Sequence, residues 1–88
     1  MQYEFDPAKD RFNMTKHGLS FLDVEGFEWD TALVCEDARV DYAEQRFVAT
    51  GYIGLRLCVL VFCHRDDAVR VISLRKANSR EVKDYAQT

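Results

Sequence analysis

Chain breakers are scarce here: one proline and four glycines stand among 88 residues. That is too few to form a flexible linker or to interrupt regular elements often. Long apolar runs are missing as well, since no stretch approaches the roughly 20 residues a membrane-spanning helix requires. The opening Met1-Gln2-Tyr3-Glu4-Phe5 has no basic region leading into an apolar one, so no membrane association and a cytoplasmic location are expected. The three cysteines (Cys35, Cys58, Cys63) form an odd set without framework spacing and read as reduced thiols packed in the core. Cys58, Cys63 and His64 come near a metal-ligand grouping. On a strand, however, Cys58 and His64 share one face and Cys63 points to the other. Asp66-Asp67, the other candidate pair for a cation, has the composition of a turn. Neither a metal nor a cofactor is therefore expected. Positive charge is also in short supply, with a net charge of −3 and a pI near 5.3. That total argues against a uniformly basic nucleic-acid surface but leaves room for a local basic patch.

What is present is the composition of a folded chain: 48% hydrophobic and 12% aromatic. It predicts a single domain over residues 1–88 with a thin stability margin. Gln2 to Phe5 alternates as a short strand. Asp6-Pro7 opens a helix, with aspartate as N-cap and proline at its first position, and Gly18 closes it after Lys16 and His17. Ser20 with Asp23 is a capping-box variant, flanked by Leu19 and Val24 at the positions of a hydrophobic staple, and starts a second helix to about Phe27. Leu33-Val34-Cys35 is a short strand, and Glu36 to Glu44 a charged loop. Gln45 to Tyr52, Arg56 to His64 and Val69 to Leu74 read as strands, with Gly51 to Gly54 and Arg65 to Ala68 as the turns between them. The near-continuous apolar run of the middle strand marks it as central. A last helix starts near Asn78. The order β-α-α-β-β-β-β-α predicts an α+β fold, a small antiparallel sheet with helices on one face.

The informative polar residues interrupt apolar elements or stand at their ends. Lys16 and His17 close the first helix, where cations suit the dipole in any protein. Glu44 and Arg46 share a strand face, as an exposed ion pair of little energetic value also would. Arg70 lies between apolar neighbours, where an arginine demands a partner. Arg75, Lys76 and Arg80 concentrate positive potential where a strand meets the last helix, in a chain whose acids gather in residues 23 to 44.

The spacing of Phe5-Asp6-Pro7-x-Lys9-x-x-x-Asn13-x-x-Lys16-His17-Gly18-x-x-Phe21 resembles the opening signature of the BrnT toxins. Glu44-x-Arg46, Gly51 and Arg70-x-Ile72-Ser73-x-Arg75-x-Ala77-x-x-x-Glu81-x-x-x-Tyr85 are similar to that family's second half. The resemblance spans nearly the whole chain and implies a RelE-like fold. It implies a type II toxin whose metal-independent endoribonuclease activity inhibits translation. It also implies a BrnA-like antitoxin, which binds DNA so that the toxin meets DNA only through it.

The residues themselves could support such chemistry. RNA is cut when its 2′-oxygen is deprotonated and aligned with phosphorus. That requires a base, cations for the phosphorane charge and an acid for the leaving 5′-oxygen. His17 or Glu44 is the candidate base or acid, and Arg46, Arg70 and Arg75 are candidate phosphate clamps. Lys16, Lys76 and Arg80 would hold flanking RNA backbone, with Tyr42, Tyr52 or Tyr85 available to stack on a base. Two other readings stand beside this one: a non-catalytic protein-interaction module, and an inactivated toxin that acts only as a regulator with its antitoxin. The discriminating feature is convergence of the five catalytic candidates on one concave site.

Overall fold

A computed structural model describes residues 1–38 and 43–88 of the chain. Strand β1 (Gln2–Glu4) is followed by helix α1 (Pro7–His17). Two 3₁₀ segments, Phe21–Gly26 and Trp29–Thr31, lead into β2 (Leu33–Glu36). Strands β3 (Arg46–Ile53), β4 (Arg56–Arg65) and β5 (Ala68–Lys76) and helix α2 (Ser79–Ala86) complete it. The five strands form one sheet in the order β1-β5-β4-β3-β2.

The caps act where the sequence places them. Asp6 accepts from the Ala8 N–H at 2.8 Å, and Gly18 ends α1 in the left-handed region at φ 73°. Ser20 and Asp23 close both halves of their capping box, yet the segment they start is a single short 3₁₀ stretch and not an α-helix. Phe21 and Val24, three apart, fall on one side of this stretch and are turned into the core, at 0% and 1% exposure. Their burial is worth roughly 1.5–3 kcal/mol for each large apolar side chain.

Three further expectations need correction. The sheet is mixed, because β1 pairs parallel with β5 while the other ladders are antiparallel. The helical segments do not all serve one face: Phe21 and Val24 enter the core, whereas Glu81 of α2 holds Arg75 of the opposite face. Gly51 does not begin a turn but sits inside β3, and the turn falls at Gly54, whose φ is 62°. A Cβ at Gly51 would stand 2.8 Å from Phe27 Cζ and 3.1 Å from Ala32 Cβ. The position is thus a close approach of strand to loop, which only hydrogen can fill.

The register sorts the side chains. On one face Ala49, Cys58, Leu60, Phe62, Val71 and Leu74 meet Leu19, Phe21, Val24 and Phe27 in the core. Edge-to-face rings join the 3₁₀ segments to it, with Phe27–Trp29 at 4.8 Å and Trp29–Phe62 at 5.2 Å between centroids. The opposite face carries Arg46 and Val48 of β3, Val59, Val61 and Cys63 of β4, and Arg70, Ser73 and Arg75 of β5.

Arg70 and Arg75 are five positions apart, so a regular strand would turn them to opposite faces. They share one because the β4–β5 register shifts between Val61 and Phe62: Ser73 pairs with Val61 but Val71 with Phe62, leaving Ile72 as an extra residue. The bulge re-aims the second half of the strand.

Helix α1 lies along the edge of the sheet. After β1 ends, the Leu74 N–H and C=O face that edge. Asn13, buried in α1, answers both: its Nδ2 donates to Leu74 O at 2.8 Å and its Oδ1 accepts from Leu74 N at 3.2 Å. The same amide donates to Leu19 O at 2.8 Å. One side chain does the work of a strand.

Candidate active site

The face opposite the core is not flat. A groove of about 600 Å³ runs over Val48, Val59 and Val61 and is lined by Lys16, His17, Arg46, Ser73, Arg75 and Glu81, with Cys35 to Ala38 along its far wall. Its floor is valine and its rim mostly charged.

Each charged group has an identifiable support. Lys16 and His17 are the last residues of α1, which Asn13 fastens to β5. Arg46 and Arg75 stand on β3 and β5, the strands on either side of β4. Glu81 holds Arg75 through two parallel hydrogen bonds, Nη1–Oε1 and Nη2–Oε2, both 2.8 Å. Asn78 fixes Glu81 in turn. Its backbone N–H donates to Glu81 Oε1 at 2.9 Å, while its side chain accepts from the Glu81 N–H. The N-cap of α2 thereby orients a groove arginine, a fork-to-fork geometry that adds direction as well as energy.

The same pairing sets the electrostatics. The Arg75 guanidinium holds the Glu81 carboxyl down at about 2, far below the usual carboxylate range. Glu81 therefore stays ionised and is suited to positioning, not proton transfer. His17 has its pKa lowered by burial first and then by the Lys16 and Arg75 charges. The neutral imidazole that results is able to accept a proton at neutral pH.

Of the five catalytic candidates, His17, Arg46 and Arg75 line the groove together, and Lys16 joins them. Arg70 and Glu44 do not line it. The partner that Arg70 demanded is Glu4, directly across the β1–β5 register and 3.4 Å away. Arg65 reaches Glu4 at 3.9 Å and Glu44 at 3.8 Å, so these four form a chain of ion pairs at the far end of the same face. Arg46 and Arg70 both register against Cys63, which sets their strands about 10 Å apart. Lys76 lines a different cleft, between Leu19, Leu57 and Val82, and Arg80 is exposed on α2. That second cleft is mostly apolar and holds no histidine, so the groove is the better candidate for chemistry.

Tyr85 meets Tyr52 edge to face at 5.6 Å and donates to Thr31 O, a packing role that anchors α2. Tyr42 lies outside the described residues. Of the three cysteines expected in the core, Cys35 is instead exposed on the edge strand β2. Cys58 and Cys63 are buried with their thiol pKa values raised, by desolvation above all and for Cys63 by a Glu44 hydrogen bond next. Cys63 faces away from both Cys58 and His64.

Two groove residues escape a reading by residue type. Glu81 has a legible signal, because Asn78-x-x-Glu81 is a capping box and Arg75 precedes it by six positions. Ser73 has none by type, and only its spacing of two from Arg75 marks it as sharing that face.

The model of a family described as the ribonuclease toxin BrnT of type II toxin–antitoxin systems matches residues 5–81. The match takes in every groove residue named above. No curated protein matches the chain.

Proposed function

The chain belongs to the BrnT family of type II toxin–antitoxin ribonuclease toxins, and from that premise we propose that the valine-floored groove is where it cuts RNA. The reading takes the fold as RelE-like and residues 1–88 as one toxin domain. The observation that carries it is the convergence of a histidine of lowered pKa with Lys16, Arg46 and Arg75 around one concavity. His17 takes the proton from the 2′-oxygen, which attacks the adjacent phosphorus. Arg46 and Arg75 grip the phosphate oxygens and meet the added charge of the phosphorane. The 5′-oxygen leaves with the proton that His17 took up, and a 2′,3′-cyclic phosphate remains. No step requires a metal, and cleavage of messenger RNA in the cytoplasm would inhibit translation.

The remaining residues take supporting places. Glu81 holds Arg75 at its angle. Arg70 and Glu44, at the end of the same face, serve the flanking strand and not the cleavage centre, and Lys76 and Arg80 add positive potential beyond α2. A BrnA-like antitoxin neutralises the toxin and carries its link to DNA.

The test is cleavage of a defined RNA by purified protein in excess chelator, with product ends identified. Wild type should give 2′,3′-cyclic phosphate ends, and Arg75→Ala about a hundredfold less product, on the scale of one lost charge-stabilising donor. Full activity in both Arg75→Ala and His17→Ala, each still folded, would remove the groove from the mechanism.

A further inference from the structure

Strand β2 is the last strand of the sheet on its side, and all four of its residues are exposed. Leu33 and Val34 are apolar residues left 39% and 50% open there. The backbone of this strand has a definite polarity. The Asp37 N–H donates to Arg46 O at 2.8 Å, which makes that pair hydrogen-bonded. By antiparallel alternation Cys35–Val48 and Leu33–Thr50 are bonded as well, while Val34–Ala49 and Glu36–Phe47 are not. The N–H and C=O groups of Val34 and Glu36 accordingly point away from the sheet. The opposite edge is managed differently: β1 is three residues long, and Asn13 closes the rest of β5.

The segment that leads into and through β2 is acidic in sequence. Asp23, Glu25, Glu28, Asp30, Glu36 and Asp37 lie between Leu19 and Ala38, with no lysine or arginine among them. The strand also continues into the groove, whose far wall is Cys35 to Ala38.

We infer that β2 is the docking edge for an extended, basic segment of the antitoxin, which pairs with Val34 and Glu36 as a sixth strand. The inference rests on the toxin reading above, which supplies a protein partner, and adds where it binds and what chemistry it carries. Main-chain hydrogen bonds to the two outward residues give the register. Lysine or arginine side chains meet the carboxylates, and Leu33 and Val34 gain cover on the two faces. A strand in this position extends the wall of the groove, so docking and neutralisation occur side by side.

The sharpest perturbation is Val34→Pro. Proline removes an outward N–H and leaves the Leu33 and Cys35 bonds to β3 in place, which an edge strand tolerates. Wild type and variant are each produced with the cognate antitoxin, and affinity and amide exchange are measured on the free toxin and on the complex. The Val34 and Glu36 amides should exchange fast in free toxin and at least about a hundredfold more slowly in the complex. The Leu33 and Cys35 amides should be slow in both. Val34→Pro should bind roughly thirtyfold more weakly, as expected for losing main-chain pairing, with RNA cleavage and Tm close to wild type. Asp30→Lys, kept as a second variant in case the proline disturbs folding, should weaken binding and flatten its salt dependence. Wild-type affinity in both variants, with unchanged Val34 and Glu36 exchange, overturns the docking edge and leaves the toxin reading intact. Failure of the wild-type chain to bind its antitoxin at all overturns both.

Discussion

Replacing Asn13 with alanine isolates the fastening of α1 to the sheet. The side chain is 5% exposed and makes three hydrogen bonds, at 2.8, 2.8 and 3.2 Å. Its removal strands Leu19 O, Leu74 O and Leu74 N in a buried place. Each lost bond costs about 1 kcal/mol, and more if the stranded group stays dry. Alanine is the better helix former by about 0.6 kcal/mol, which offsets part of the loss. A net destabilisation of roughly 2–3 kcal/mol follows, and at about 4–8 °C per kcal/mol for a domain of this size Tm should fall by some 10–20 °C. Denaturant unfolding followed by far-UV circular dichroism should show a lower midpoint with an unchanged m-value. Asn13→Asp gives the argument a sign. The carboxylate can still accept from Leu74 N but sets negative oxygen against two carbonyls, so it folds best protonated. Its pKa in the folded state is raised, and its stability should therefore increase as pH falls from 7 towards 5. An Asn13→Ala protein within about 0.5 kcal/mol of wild type, or an Asn13→Asp protein insensitive to pH, would refute the account of this edge.

Gly51→Ala should destabilise by about 1–3 kcal/mol in the same unfolding experiment, because the new methyl meets Phe27 and Ala32. Glu81→Gln should cost about 1 kcal/mol at pH 7, the partly exposed pair being discounted for screening. With the Glu81 pKa lowered from 4.5 to about 2, that stabilisation is complete above pH 4.5 and lost as pH falls to 2. Acid titrations of wild type and Glu81→Gln should hence converge across this window. For RNA cleavage, kcat/KM should drop on the acid side with a pKa below the ordinary 6.5 of histidine. His17→Ala should lose that limb and about a hundredfold or more in rate.

The sequence carries most of the local structure because its punctuation is chemical. Asp6-Pro7 and Gly18 bracket α1, Asn78 with Glu81 starts α2, and the apolar run of β4 reads as the strand covered on both faces. What stays out of reach is set by pairing partners distant in sequence. Nothing in Gln2 to Glu4 says that β1 runs parallel to β5, and nothing in Val69 to Leu74 marks Ile72 as an extra residue. The site divides in the same way. His17, Arg46 and Arg75 are legible as charges at element ends. Arg70 stands out equally, yet its neighbour across the ladder is Glu4. Glu81 is visible as a helix cap, but its hold on Arg75 appears only once the strand and helix meet.

The extra residue at Ile72 has a consequence for how this protein tolerates change. Two segments of opposite phase are spliced within β5, and the bulge lets an interval of five positions set Arg70 and Arg75 on one face. Deleting Ile72 would close the bulge and leave an interval of four, which a regular strand also places on one face. Both arginines and the Glu4–Arg70 pairing would keep their places. An inserted residue has no such remedy, because it must swell the bulge or turn one arginine to the core side. The strand is thus more forgiving of a lost residue at this point than of a gained one.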